Sequence, residues 1–206
     1  MKPTDRKIYL ASKSSRRREL LRQIGVDFEL LLLRDRSPDG PAVSEIVLPN
    51  ELAEDYVLRV TLEKAASAVQ AMAVRRLPVR PILAADTTVV VDGCILGKPA
   101  DVDQAYAMLK SLSGRRHQVF TAVAVCAEGK TAHFTQRSDV TFAPLSDAVI
   151  RTYCATQEPY DKAGGYGIQG MAAVFVADMT GSYSGIMGLP LFETAQLLQQ
   201  AGLRIL

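Results

Sequence analysis

The sequence predicts an α/β fold built around a mixed sheet, and three observations lead there. Strand-like runs and helical apolar stripes alternate along the chain. Two turn signals, Asp92-Gly93 and Glu128-Gly129, insert antiparallel hairpins between them. The 206 residues are 48% hydrophobic and 22% charged, which suits one domain over the whole of 1–206 with a sizeable core.

The elements follow in order. Residues 7–11 read as a short strand that runs into the polar turn Ser12-Lys13-Ser14-Ser15. A helix then covers about 16–24, because Leu20, Leu21 and Ile24 share a face and Gly25 stops it. Residues 26–33 (VDFELLLL) read as a second strand. From Arg34 to Pro49 proline, glycine, serine and charge dominate, which predicts a long loop. A long helix is expected over 50–76 and a strand over 82–91, with the first hairpin turn behind it. A helix over 101–113 opens at Asp101 and closes at Gly114. The runs 117–127 and 130–142 pair about the second turn, and 146–155 reads as helix. The glycine-rich stretch 158–171, a strand-like run 172–178 and a helix over 190–202 complete the chain.

Composition narrows the function. A net charge of +2 argues against a dedicated nucleic-acid binder, although arginines cluster at 16–18 and 75–80. No stretch reaches the length of a membrane span, and the opening MKPTDRKIYLAS lacks the apolar core of a secretory signal. Cys94, Cys126 and Cys154 form no metal spacing with His117 or His133 and suit a reducing compartment. A cytoplasmic protein without membrane or nucleic-acid partners is expected.

Four places break local rules, and such places tend to carry function. Asp86 lies inside ILAADTTVVV, where an unpaired carboxylate costs several kcal/mol. It is either a strand-end aspartate bonded to nearby backbone or a catalytic base or metal ligand. Lys64 falls in the middle of the stripe Ala53, Val57, Val60, Ala68, Ala71, so it either snorkels or points into a polar cavity. The turn Ser12–Ser15 precedes a helix opening with Arg16 and Arg17: a cap for the backbone, an anion site, or both. In EPYDKAGGYGIQG the four glycines Gly164, Gly165, Gly167 and Gly170 demand positive φ or close packing, and Gln169 suits reading a base edge. Lys98, in Leu96-Gly97-Lys98-Pro99, adds a cation on a stiff loop. His117 on its own reads as structural. Cations, one carboxylate, an amide and a helix N-terminus suit phosphoanhydride hydrolysis, with a divalent ion shared between Asp86 and phosphates.

These segments resemble the Maf nucleotide pyrophosphatases. The opening Leu10-Ala11-Ser12-Lys13-Ser14-Ser15-Arg16-Arg17 is matched in turn by Glu63-Lys64-Ala65, Ala85-Asp86-Thr87, Gly97-Lys98-Pro99 and Ser113-Gly114 with His117-Gln118-Val119. Glu158–Gly164, Ile168-Gln169-Gly170, Gly181-Ser182-Tyr183 and Gly188-Leu189-Pro190-Leu191 close the series. The resemblance implies an elongated mixed sheet flanked by helices, two lobes with a central cleft, a Mg or Mn requirement and a homodimer. It implies that Asp86 is the general base and that Ser12, Arg16, Arg17, Lys64 and Lys98 line the substrate cleft. Arg16, Thr87 and Gln169 match the base-selecting positions of the branch that prefers dTTP and UTP. Two departures stand out: Ser15 replaces a usual Pro, and the Glu expected after the second strand is replaced by Leu33-Arg34-Asp35-Arg36. Asp35 or Glu45 then has to serve. The competing readings are a pyrophosphatase for 7-methyl-GTP or modified nucleotides, and a non-catalytic nucleotide sensor regulating cell division.

Overall fold

The protein, described by a computed structural model over residues 7–33 and 43–205, is an α/β structure with a seven-stranded mixed sheet. The strands are β1 (Ile8–Leu10), β2 (Phe28–Leu30), β3 (Ile82–Val91), β4 (Cys94–Leu96), β5 (Arg116–Ala127), β6 (Lys130–Phe142) and β7 (Val176–Thr180). Their order is β2-β1-β3-β5-β6-β7, with β4 added beside β3. The helices are α1 (Ser15–Gln23), α2 (Ala53–Val74), α3 (Val102–Leu112), α4 (Asp147–Cys154), α5 (Tyr183–Met187) and α6 (Leu191–Gln200). Parallel pairing of β1 with β2 and β3, and antiparallel pairing of β3 with β4 and of β6 with β7, make the sheet mixed.

The chain groups into two compact units: residues up to Asp86 with 122–135 and 188–206, and residues 87–121 with 136–187. Strands β3, β5 and β6 each contribute residues to both. In the first unit Tyr9, Leu31, Ala65, Ala68, Ile82, Ala84 and Ala124 form the core. Small residues on α2 let that helix lie close to the strands. In the second, Val89, Leu109, Leu112, Val119, Phe142, Ile150 and Phe175 pack together, with Phe142 edge-on to the rings of His117, Tyr166 and Phe175.

Local chemistry explains several boundaries. Ser14, Asp101 and Ser146 cap α1, α3 and α4 by accepting the N–H of Arg17, Gln104 and Val149. Asp92-Gly93 and Glu128-Gly129 all have positive φ (51°, 76°, 50° and 75°), the geometry of tight hairpin turns.

Two expectations need correction. The second strand is only Phe28–Leu30, not 26–33, because its partner β1 offers three residues to pair with. Residues 172–175, expected to begin a strand, lie instead in a 3-10 turn, Met171–Phe175. There the Glu158 carboxylate accepts the N–H groups of Met171 (2.9 Å) and Ala172 (3.3 Å), which favours a turn over a ladder. The strand proper starts at Val176, and the short helix α5 was not foreseen.

Candidate active site

Along β3 every residue is buried except Asp86 and Thr87. Asp86 belongs to the first unit, and its charge is met there. Lys64 Nζ on α2 donates to its Oδ1 at 2.6 Å and lies 2.7 Å from Glu45 Oε1. The Lys64 and Asp86 side chains are only 18% and 15% exposed, so this ion pair is poorly screened, whereas Glu45 is 57% exposed. Lys64 therefore points inward rather than snorkelling. Of the two candidates for the missing acid, Glu45 reaches the site, and Asp35 lies outside the described residues.

The turn between β1 and α1 supplies the cations. Ser12 Oγ accepts from the Ser14 N–H (3.2 Å) and from Arg17 Nη1 (3.1 Å). Arg17 Nε donates to the Gly188 carbonyl at 2.8 Å, so this arginine ties the serine turn to the segment before α6. The helix has no acidic residue in its first turn and begins Ser15-Arg16-Arg17-Arg18. Cations at a helix N-terminus oppose the macrodipole, an arrangement that favours an arriving anion. Burial lowers the Arg17 pKa from its ordinary value; the charges of Asp86 and Glu45 work the other way and that of half-buried Arg16 works with burial. The serine turn thus serves as cap and cation platform at once.

Tyr56 lies beside the acidic groups. Its hydroxyl donates to the Glu45 carbonyl at 3.1 Å, and burial, then the charges of Asp86 and Glu45, push its pKa up to about 12.

The second unit holds Thr87, Lys98 and Gln169. Thr121 Oγ1 lies 2.8 Å from the Gly185 carbonyl and 2.9 Å from Thr87 Oγ1. A carbonyl can only accept, so the Thr121 proton goes there and Thr87 is oriented as the other hydroxyl's partner. Lys98 is exposed on a loop fastened by the Gly164 N–H to the Gly97 carbonyl (3.0 Å). Gln169 is exposed at the turn that the Gly170 N–H closes onto the Gly167 carbonyl, 3.0 Å.

The glycines around it have packing reasons. Gly164 has φ 70°, and a Cβ there would come 2.9 Å from both methyls of Val89. A Cβ on Gly170 would collide with the Glu158 carboxylate, which Tyr153 Oη also donates to at 3.0 Å. His117 is structural: it is buried, with Nε2 2.7 Å from Tyr166 Oη.

Sequence reasoning missed Arg59, Glu51 and the Gly188 carbonyl. Arg59 and Glu63 stand four apart on a helix, a spacing common on solvated faces, and so gave no signal.

The chain is similar to known proteins along nearly its whole length. A family profile described as Maf-like protein matches residues 7–201. The dTTP/UTP pyrophosphatase of Aromatoleum aromaticum is 54% identical over 204 residues, covering 98% of each chain. That of Ralstonia nicotianae is 57% identical over 199 residues, 96% of this chain and 95% of the relative. Among solved structures, a HAM1 protein from Coxiella burnetii superposes with a TM-score of 0.50 at 14% identity, covering 95% of this chain and 99% of that one. At that identity the likeness speaks to the fold alone.

Proposed function

The chain belongs to the Maf-like protein family, and from that premise we propose that it hydrolyses a nucleoside triphosphate, dTTP and UTP preferred, to the monophosphate and pyrophosphate. The observation that carries the reading is Asp86. It is a carboxylate in the half-open middle of an otherwise buried strand, held at 2.6 Å by Lys64 beside a serine-arginine turn. The relatives named dTTP/UTP pyrophosphatase support both the chemistry and the substrate.

In this reading a water oxygen attacks the α-phosphorus and the bond from that phosphorus to the α–β bridging oxygen breaks. Asp86 orients the water and receives its proton. Arg16, Arg17, Lys64 and Lys98 take the negative charge of the phosphates, and Ser12 holds Arg17 in place and lines the phosphate turn. Thr87 and Gln169, with Arg16, select the base. Positioning and charge compensation do most of the work in such phosphoryl transfers.

A divalent ion fits the acidic pair. Asp86 and Glu45 already converge on one positive charge, the Lys64 ammonium. Magnesium is commonly held by one or two carboxylates, with phosphate oxygens and water completing the shell. Among the described residues no group of three His, Cys, Asp or Glu is assembled, so water would complete the shell in the free protein and phosphate oxygens would join it once a nucleotide binds. When bound, Mg or Mn neutralises charge on the leaving pyrophosphate.

We read the 206 residues as one catalytic domain acting in the cytoplasm as a homodimer. Cys94, exposed and unbridged, with the free thiols Cys126 and Cys154, fits a reducing compartment. Among the described residues no helix is long and apolar enough to cross a membrane.

The test is a panel of dTTP, UTP, CTP, ATP, GTP and 7-methyl-GTP with Mg or Mn, scoring monophosphate and pyrophosphate. Release from dTTP and UTP is expected. Preference for 7-methyl-GTP would reassign the base-reading positions, and binding without release from any nucleotide would make the chain a sensor.

A further inference from the structure

Glu45 sits on a segment, 43–52, that has no helix or strand of its own, yet its carboxylate is brought to Lys64. Three side chains of α2 hold the backbone around it. Arg59 Nη1 donates to the Ser44 carbonyl at 3.1 Å and Nη2 to the Ile46 carbonyl at 2.9 Å, so one guanidinium grips the residues on either side of Glu45. Tyr56 Oη takes the Glu45 carbonyl itself, and Glu63 Oε2 accepts the Ser44 N–H at 3.3 Å.

The guanidinium is fixed in turn. Glu51 receives Nε (2.6 Å) and Nη2 (2.9 Å), and Glu63 Oε1 receives Nη1 (3.1 Å). These five bonds use all five N–H donors that an arginine has. The Tyr56 ring lies beneath, 5.6 Å from Cζ. Hydrogen bonding to Arg59 lowers the Glu51 pKa to about 2.

We infer that Arg59 is a positioning residue of the active site, fixing Glu45 beside Asp86 and so setting how tightly the protein holds a divalent ion. This rests on the reading of Asp86 and Glu45 as the acidic pair for that ion. Two carboxylates repel, and Glu45, more than half exposed, gains hydration by turning outward. The Lys64 ammonium draws Glu45 inward, and the gripped backbone limits how far that side chain can swing away. Partners behind metal ligands typically change metal affinity 10–100-fold when removed.

The experiment compares wild type, Arg59→Gln, Glu45→Gln, Arg59→Gln/Glu45→Gln, Arg59→Lys and Tyr56→Phe. Mn(II) binding to the nucleotide-free protein is measured by electron paramagnetic resonance, with the thermal midpoint and the Mn dependence of pyrophosphate release alongside. Arg59→Gln should weaken Mn(II) binding about tenfold, as Glu45→Gln does, and the double variant should be no weaker than Glu45→Gln alone. Arg59→Lys should not restore binding, because an ammonium cannot span both carbonyls. Should Arg59→Gln not fold, Tyr56→Phe, lacking one hydroxyl, should still weaken Mn(II) binding about two- to threefold. A lowered midpoint with unchanged Mn(II) affinity, additive losses in the double variant, or no Mn(II) binding by wild type would overturn the inference. If wild type binds Mn(II) with the expected pattern yet releases no pyrophosphate, the proposed function fails and the positioning role stands.

Discussion

Asp86 answers the Lys64 ammonium 2.6 Å away, and the proposed reaction asks the same carboxylate to orient the attacking water. Asp86→Asn keeps the shape and removes the charge. Turnover should fall by about 10²–10⁴ while the far-ultraviolet circular dichroism spectrum stays that of wild type. Turnover within a factor of a few of wild type would remove Asp86 from the chemistry. Much of this site was legible from the residues themselves. A charged residue in an apolar strand and a lysine in an apolar helical stripe are local contradictions, and contradictions can be read without a structure. Arg59 and Glu63 contradict nothing locally. Their partners, Ser44 and Ile46, lie on a segment without periodicity, so only the folded chain reveals what they hold.

At the scale of elements, one turn at the start of α1 both caps the helix and carries the residues proposed to bind phosphate. Ser14 caps the helix by accepting the Arg17 N–H at 3.4 Å, and the same turn presents Arg16 and Arg17. Ser14→Ala should cost about 1 kcal/mol in urea unfolding and raise KM for the nucleotide more than it lowers kcat, because the first turn frays. An unchanged KM would mean that the turn is held by the Arg17 bonds to Ser12 and Gly188 alone. Helices α1, α3 and α4 were readable because their caps, Ser14, Asp101 and Ser146, act within three residues of themselves. The hairpin turns were readable for the same reason. What was not readable depends on distant partners. The length of β2 is set by β1, and the turn at Met171–Phe175 is set by the Glu158 carboxylate, thirteen or fourteen residues away.

For the whole molecule, stability against acid follows from one buried ring. Burial lowers the His117 pKa from 6.5 to about 4, partly offset by the Arg115 backbone and the charge of Asp139. Its partner Tyr166 is pushed up by burial and keeps its proton. As pH falls through 6.5 the unfolded chain takes up a proton that the folded chain refuses until about pH 4. Stability is therefore complete above pH 6.5 and declines below it, by about 1.4 kcal/mol per unit, roughly 3 kcal/mol by pH 4. The acids whose pKa the fold lowers, Glu51 to about 2 and Glu29 and Asp147 in the same direction, add to the loss only below their ordinary range near 4. The window from 6.5 to 4.5 thus isolates the histidine. Because β3, β5 and β6 each supply residues to both compact units, the loss should appear in a single unfolding transition. Urea unfolding at pH 7, 6, 5 and 4.5 should show that decline in wild type and a flat profile in His117→Asn, which is less stable at pH 7 for lack of the full ring. A decline that persists unchanged in His117→Asn would move the acid sensitivity to another group, and two transitions of which only one responds to pH would show that the shared strands do not make the chain fold as one.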